Sequence, residues 1–190
     1  DSDFFDRLET YLKTQCIAPP VKKLPHVTQQ EAIEKAISYY DKNKRGQLIL
    51  PCGAGKTLAS IWISEKLSAK NILIMLPSLS LLSQTLREWA INASMPFRYL
   101  CICSDTTVDL GNDALIEKIS DMDVPVTTEA EAIGEFIKGT NSKTSIVFST
   151  YQSSKVLAEV IHKSGTTFDI GIFDEAHRTA GTKIGAWGIA

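Results

Sequence analysis

Lys56 and Thr57, preceded by Gly53, Ala54 and Gly55, are residue types and a spacing suited to binding phosphate. Two glycines let a backbone curl so that its N–H groups point inward, and a helix N-terminus adds partial positive charge. In such a loop Lys56 reaches the outer phosphates of a nucleotide, and the Thr57 hydroxyl ligates Mg²⁺. Cys52, Ala54 and Leu58 complete the stretch that lines the phosphates. A second cluster, Asp174-Glu175-Ala176-His177, lies far along the chain. There Asp174 is placed to hold the Mg²⁺ set by Thr57, and Glu175 to orient or deprotonate an attacking water. Lys56, Asp174 and Glu175 are therefore the candidate catalytic groups, and Thr57 and Asp174 the candidate metal ligands.

Both clusters need strands to position them. Gln47-Leu48-Ile49-Leu50 reads as a strand entering the glycine turn, and the apolar periodicity from Leu58 predicts a helix leaving it. Phe168 to Phe173 reads as a short buried strand that delivers Asp174 to its carboxyl end, the rim where open α/β sheets bind ligands. Between them, Asn71 to Leu76 is a buried strand stopped by Pro77, and Ser78 caps a helix through about Ala90. Ser145 to Phe148 is another strand. Strand and helix alternate, which predicts an α/β fold with a mainly parallel sheet covered by helices on both faces. Thr28-x-x-Glu31 reads as a capping box that puts Gln29 in the first turn of a helix running to about Tyr40. Thr128-x-x-Glu131 reads likewise for a helix to Lys138, with a further helix over about Asn112 to Ile119 and a loop over Asp121 to Pro125. Apolar spacing in Phe4 to Cys16, ended by Pro19-Pro20, predicts an N-terminal helix.

In this order, the motifs resemble the first RecA-like domain of a superfamily 2 helicase or translocase of the DEAD/DEAH type. The resemblance runs from about His26 to Gly181. It implies that Gln29 reads the adenine edge of ATP, and that Leu50 stands where the family has lost the first loop glycine. It implies that Pro77, Ser78 and Leu79, with Leu82 and Gln84 following, hold a nucleic-acid strand by its backbone. Ser149 to Ser153, with Thr150 and Tyr151, resembles the next strand-contacting segment. On residue chemistry alone, Pro77-Ser78 equally punctuates a strand-to-helix junction, and a lone aromatic such as Tyr151 packs more often than it stacks on a base. His177 resembles the residue that relays nucleotide state toward the nucleic acid, and Arg178 is a further candidate contact. The expected division is an N-terminal helical extension over 1–24 and the ATP-binding domain over 25–190, interrupted by an acidic insertion over 105–142.

A narrower likeness is carried by Cys103-Ser104-Asp105, Val126-Thr127-Thr128, Phe148 to Ser153 and Asp174 to Gly181. These resemble the helicase-like domains of bacterial restriction systems, above all the single-chain enzymes that combine translocase and methyltransferase. That implies travel along double-stranded DNA without processive strand separation. The family's Ser-Ala-Thr motif and its second RecA-like domain, which supplies an arginine finger, are not found in this sequence. The fragment alone is therefore expected to hydrolyse ATP very slowly, since such fingers contribute on the order of 10³ to 10⁵ in rate.

Composition sets the remaining bounds. The 190 residues suffice for one domain, and no stretch approaches a membrane span. The start, Asp1-Ser2-Asp3, has neither an initiating Met nor a basic segment, and is expected to be a fragment boundary. Four cysteines do not form a disulfide framework. Cys101 and Cys103 share a face of an apolar strand and are expected to be buried thiols, and Cys52 a small loop residue. Reduced cysteines fit a cytoplasmic protein. Residues 105–142 carry nine acids and two bases, a net of −7; against −2 for the whole chain, the remainder carries +5. The acidic stretch is expected to face away from phosphate. Two other classes stay open: a nucleotide-gated sensing module and a remodeller of protein complexes, both of which use the same loop and acidic box.

Overall fold

The computed structural model describes residues 22–51, 53–103, 126–139 and 143–176. Cys52, His177, Arg178, the expected helices in Phe4 to Cys16 and Asn112 to Ile119, and the loop over Asp121 to Pro125 lie outside them. Five strands form one sheet in the order β3-β2-β4-β1-β5, with every neighbouring pair parallel. The strands are β1 (Asn71–Leu76), β2 (Phe97–Ile102), β3 (Val126–Thr127), β4 (Thr144–Thr150) and β5 (Ile170–Phe173). The helices are α1 (Val27–Tyr40), α2 (Lys56–Lys66), α3 (Leu79–Asn92), α4 (Ala130–Lys138) and α5 (Ser154–Ser164), with a 3₁₀ turn at Tyr151–Ser153.

Side chains along a strand alternate between faces, so a strand buried on both sides tends to a continuous apolar run, as in Ile72 to Leu76. β1 obeys this. Ile72, Ile74 and Leu76 join Ile61 of α2 and Leu82, Leu86 and Trp89 of α3 on one face. Leu73 and Met75 join Ile133 of α4 and Leu157 and Val160 of α5 on the other. Trp89 sets edge-to-face contacts with Phe97 and Phe148, at 6.2 and 6.5 Å between ring centres. Arg98 locks the far end of the sheet: its Nε donates to Ser145 Oγ at 2.8 Å, its Nη2 to the Phe136 carbonyl at 2.7 Å, and its guanidinium lies 4.2 Å above the Phe136 ring. The expected three-layer α/β architecture is therefore present.

Three expectations change. Gln47 to Leu50 is not a strand: Ile49 is 80% exposed, and no described strand pairs with the segment. An apolar run becomes a strand only where an edge receives it. β5 is not fully buried either; its residues alternate between half-buried and exposed, because among the described residues it pairs only with β1. The capping boxes also shift. α1 begins at Val27 with His26 as its cap, and the Gln29 side chain accepts the His26 N–H at 2.9 Å. Thr28 is thus inside the helix. α4 is capped at Glu129, whose N–H donates to Thr127 Oγ1 at 3.1 Å, so Thr128 precedes the cap. Lys22 and Lys23 are tied to the end of α3: Lys22 Nζ donates to the Ala93 carbonyl at 2.6 Å, and the Lys23 N–H to Asn92 Oδ1 at 3.0 Å.

Candidate nucleotide site

The glycine loop turns where left-handed backbone is required. Gly53 has φ of 74° and Gly55 of 77°, and the Ala54 N–H donates to the Pro51 carbonyl at 3.1 Å. Gly55 is the cap of α2, so Lys56 and Thr57 open that helix with their backbone N–H groups at its N-terminus. Gln29 braces the loop from α1: its Nε2 donates to the Ala54 carbonyl at 2.7 Å. With Oε1 taken by His26, both ends of this buried amide are engaged inside the protein. The second Nε2 hydrogen and the second Oε1 lone pair remain for a contact with adenine.

The acidic turn meets the loop from the sheet. The Asp174 N–H donates to the Met75 carbonyl at 3.0 Å, which continues the β1–β5 ladder one residue past the strand. Asp174 Oδ1 then accepts the Glu175 N–H at 3.0 Å, and Glu175 takes φ of 53°, unusual for a residue with a side chain. Its carboxylate lies 4.0 Å from Lys56 Nζ. Residues more than a hundred positions apart are thus brought together at the carboxyl ends of parallel strands. Thr57 follows Lys56 in the first turn of α2, and Asp174 precedes Glu175 in the acidic turn.

The candidate nucleic-acid segments are placed differently from one another. Pro77 and Ser78 are half-buried at the end of β1, and Ser78 Oγ accepts the Leu81 N–H at 3.4 Å as the cap of α3. Leu79 as a whole is buried, at 4% exposure. Thr150 is fully buried, with its hydroxyl 3.2 Å from Ser153 Oγ, which removes its side chain from direct contact with a ligand. Tyr151 packs its ring beside the Leu73, Met75 and Leu157 cluster and donates its hydroxyl to the Asp174 carbonyl at 2.9 Å. Burial first, then the Asp174 and Glu175 charges, push its pKa up to about 12, so it is a donor throughout the physiological range. This Tyr151–Asp174 contact was not visible in the sequence, where Tyr151 offered only packing or stacking. Cys101 and Cys103 are buried free thiols as expected, and the described residues contain no group of three His, Cys, Asp or Glu that could hold a metal. No described helix is long and apolar enough to cross a membrane.

The model of the family "Type III restriction enzyme, res subunit" matches residues 22–188. The chain belongs to this family. Its fold is that of the N-terminal RecA-like domain of superfamily 2 helicases. A probable helicase of African swine fever virus (isolate Tick/Malawi/Lil 20-1/1983) is 30% identical over 153 residues, covering 80% of this chain and 16% of the relative. The Type ISP restriction-modification enzyme LlaBIII, solved bound to DNA, matches with a TM-score of 0.73 at 35% identity, covering 90% of this chain and 11% of that one. A nuclease-deletion mutant of the Type ISP enzyme LlaGI, solved with a DNA substrate mimic, gives 0.68 at 35% identity, covering 87% and 16%. The chain thus spans about a sixth or less of the length of these relatives.

Proposed function

We propose that this family member is the ATP-binding part of a larger ATP-driven translocase that moves along double-stranded DNA in a restriction system. The observation that carries the reading is the 4.0 Å approach of Lys56 to Glu175, which supports taking the lysine as phosphate-binding and the carboxylate as water-activating. Support for DNA as the track comes from LlaBIII and LlaGI, both solved with DNA or its mimic and both 35% identical. A cytoplasmic location suits such a role.

When bound, Mg²⁺·ATP supplies the phosphoanhydride to be cleaved and a cation that neutralises its oxygens. The chain's own groups do the rest. The backbone N–H groups of residues 52 to 58, with Gly53, Ala54 and Gly55 at the turn, hold phosphate oxygens. Lys56 would pair with phosphate, and Glu175 would take a proton from water. Thr57 and Asp174 would hold Mg²⁺, and Gln29 would read the adenine edge. Of the two segments that hold Leu79 and Thr150, half-buried Pro77, Ser78 and Tyr151 offer the accessible surface to a phosphate backbone, and His177 relays nucleotide state toward it. A second RecA-like domain of the parent protein completes the cleft.

In the parent protein, ATP turnover should rise on adding duplex DNA and depend on duplex length. Lys56→Ala should reduce it to background. Turnover that ignores DNA length would favour a nucleotide-gated sensor, and undiminished turnover in Lys56→Ala would remove the phosphate assignment.

A further inference from the structure

The peptide that joins Asp174 to Glu175 is held from two sides. Its neighbour, the Asp174 N–H, is fixed to the Met75 carbonyl of β1 at 3.0 Å, and the Asp174 carbonyl receives the Tyr151 hydroxyl at 2.9 Å. Tyr151 belongs to the turn after β4, and β4 and β5 flank β1, with Thr150 opposite Leu76 and Phe173 opposite Met75. The tyrosine therefore reaches across the end of β1 to the acidic turn. The bond matters because of the strain in the next residue. Glu175 adopts φ of 53°, a conformation costing on the order of 1 kcal/mol or more for a residue with a side chain. Rotation of that peptide would relieve the strain and swing the Glu175 carboxylate from its place 4.0 Å from Lys56. Such strained residues persist only where surrounding contacts over-determine them.

We propose that Tyr151 is a positioning residue: its hydroxyl holds the Asp174–Glu175 peptide so that Glu175 faces Lys56, and links that turn to the Thr150–Ser153 turn. This rests on the reading of Glu175 as the water-activating group. The ring is anchored independently, beside Leu73, Met75 and Leu157, so the hydroxyl can be removed with the packing left in place. A movement of the turn after β4 would reach the carboxylate through one hydrogen bond. Tyr151 acts through Glu175 and not on a substrate atom.

The test compares the parent protein with its Tyr151→Phe and Lys56→Ala variants under saturating duplex DNA. Tyr151→Phe should lower kcat for ATP about tenfold, the size of one lost hydrogen bond, with KM changed less than about twofold. Its melting temperature should stay within about 2 °C of the parent's, because the ring remains. A kcat within about twofold of the parent's would overturn the proposal. So would a loss of kcat accompanied by an equal loss of thermal stability, which would assign the hydroxyl to the core. If Lys56→Ala is inactive while Tyr151→Phe is unaffected, only the role of Tyr151 fails. If Lys56→Ala retains full turnover, the hydrolytic reading fails and this inference with it.

Discussion

Gln29 and Ala54, twenty-five residues apart, are joined by a 2.7 Å hydrogen bond from the glutamine Nε2 to the carbonyl at the tip of the phosphate loop. The other end of the same amide accepts the His26 N–H, so one side chain fixes both the start of α1 and the shape of the loop. Gln29→Ala would remove the bonds to half-buried Ala54 and exposed His26, at about 0.5–1.5 kcal/mol each. The expected outcome is a comparable fall in folding stability and about a tenfold loss of affinity for a fluorescent ATP analogue. Gln29→Glu keeps the acceptor for His26 but sets a carboxylate against the Ala54 carbonyl. It should hold α1 better than Gln29→Ala while binding nucleotide no more tightly. Titrations in which both variants bind like the parent would show that the amide does not shape the loop.

The two loop glycines should differ sharply in cost. Both have positive φ, so alanine at either position carries about 1–2 kcal/mol of backbone strain. At Gly53 a Cβ would meet nothing within 4 Å, and the strain is the whole cost. At Gly55 it would lie 2.5 Å from Gln29 Nε2, an atom already pinned at both ends of its amide. Gly55→Ala should therefore destabilise the protein by about 1–3 kcal/mol more than Gly53→Ala, because it also breaks the Ala54 bond. Denaturant unfolding of the two variants measures the difference directly. Equal midpoints would mean that Gln29 moves aside at no cost.

Much of this site could be read from residue types, and the exceptions have physical causes. β1 was legible because five apolar residues after Asn71, stopped by Pro77, leave little choice for a strand covered on both faces. Gln47 to Leu50 has the same apolar character, yet pairing depends on an available edge, which a local pattern does not encode. Thr28-x-x-Glu31 and Thr128-x-x-Glu131 matched the capping pattern, but His26 with Gln29, and Glu129 beside Thr127, cap those helices instead. Several residues near a helix start can serve as caps, so the pattern locates the turn and not the cap. The Tyr151–Asp174 bond and the positive φ of Glu175 exist only once β4, β1 and β5 lie side by side.

Cys101 makes alkaline stability a measure of core integrity. Burial first, then the neighbouring Cys103, push its pKa from 9.0 up to about 12. Above pH 9 the unfolded chain loses this proton while the folded one keeps it. Stability is thus fully present below pH 9 and falls as pH rises toward 12, by up to about 1.4 kcal/mol per pH unit for one proton. Tyr151, with an ordinary value of 10.0, contributes its fall mainly above pH 10, so the thiol dominates the interval from pH 9 to 10. Cys101→Ala should be less stable at pH 7 because the side chain is fully buried, yet its melting temperature should fall less steeply between pH 9 and 10. Calorimetric scans of parent and variant across that interval decide the matter. Parallel slopes would mean that the thiol ionises as readily in the folded chain as in the unfolded one, and that this face of the sheet admits water.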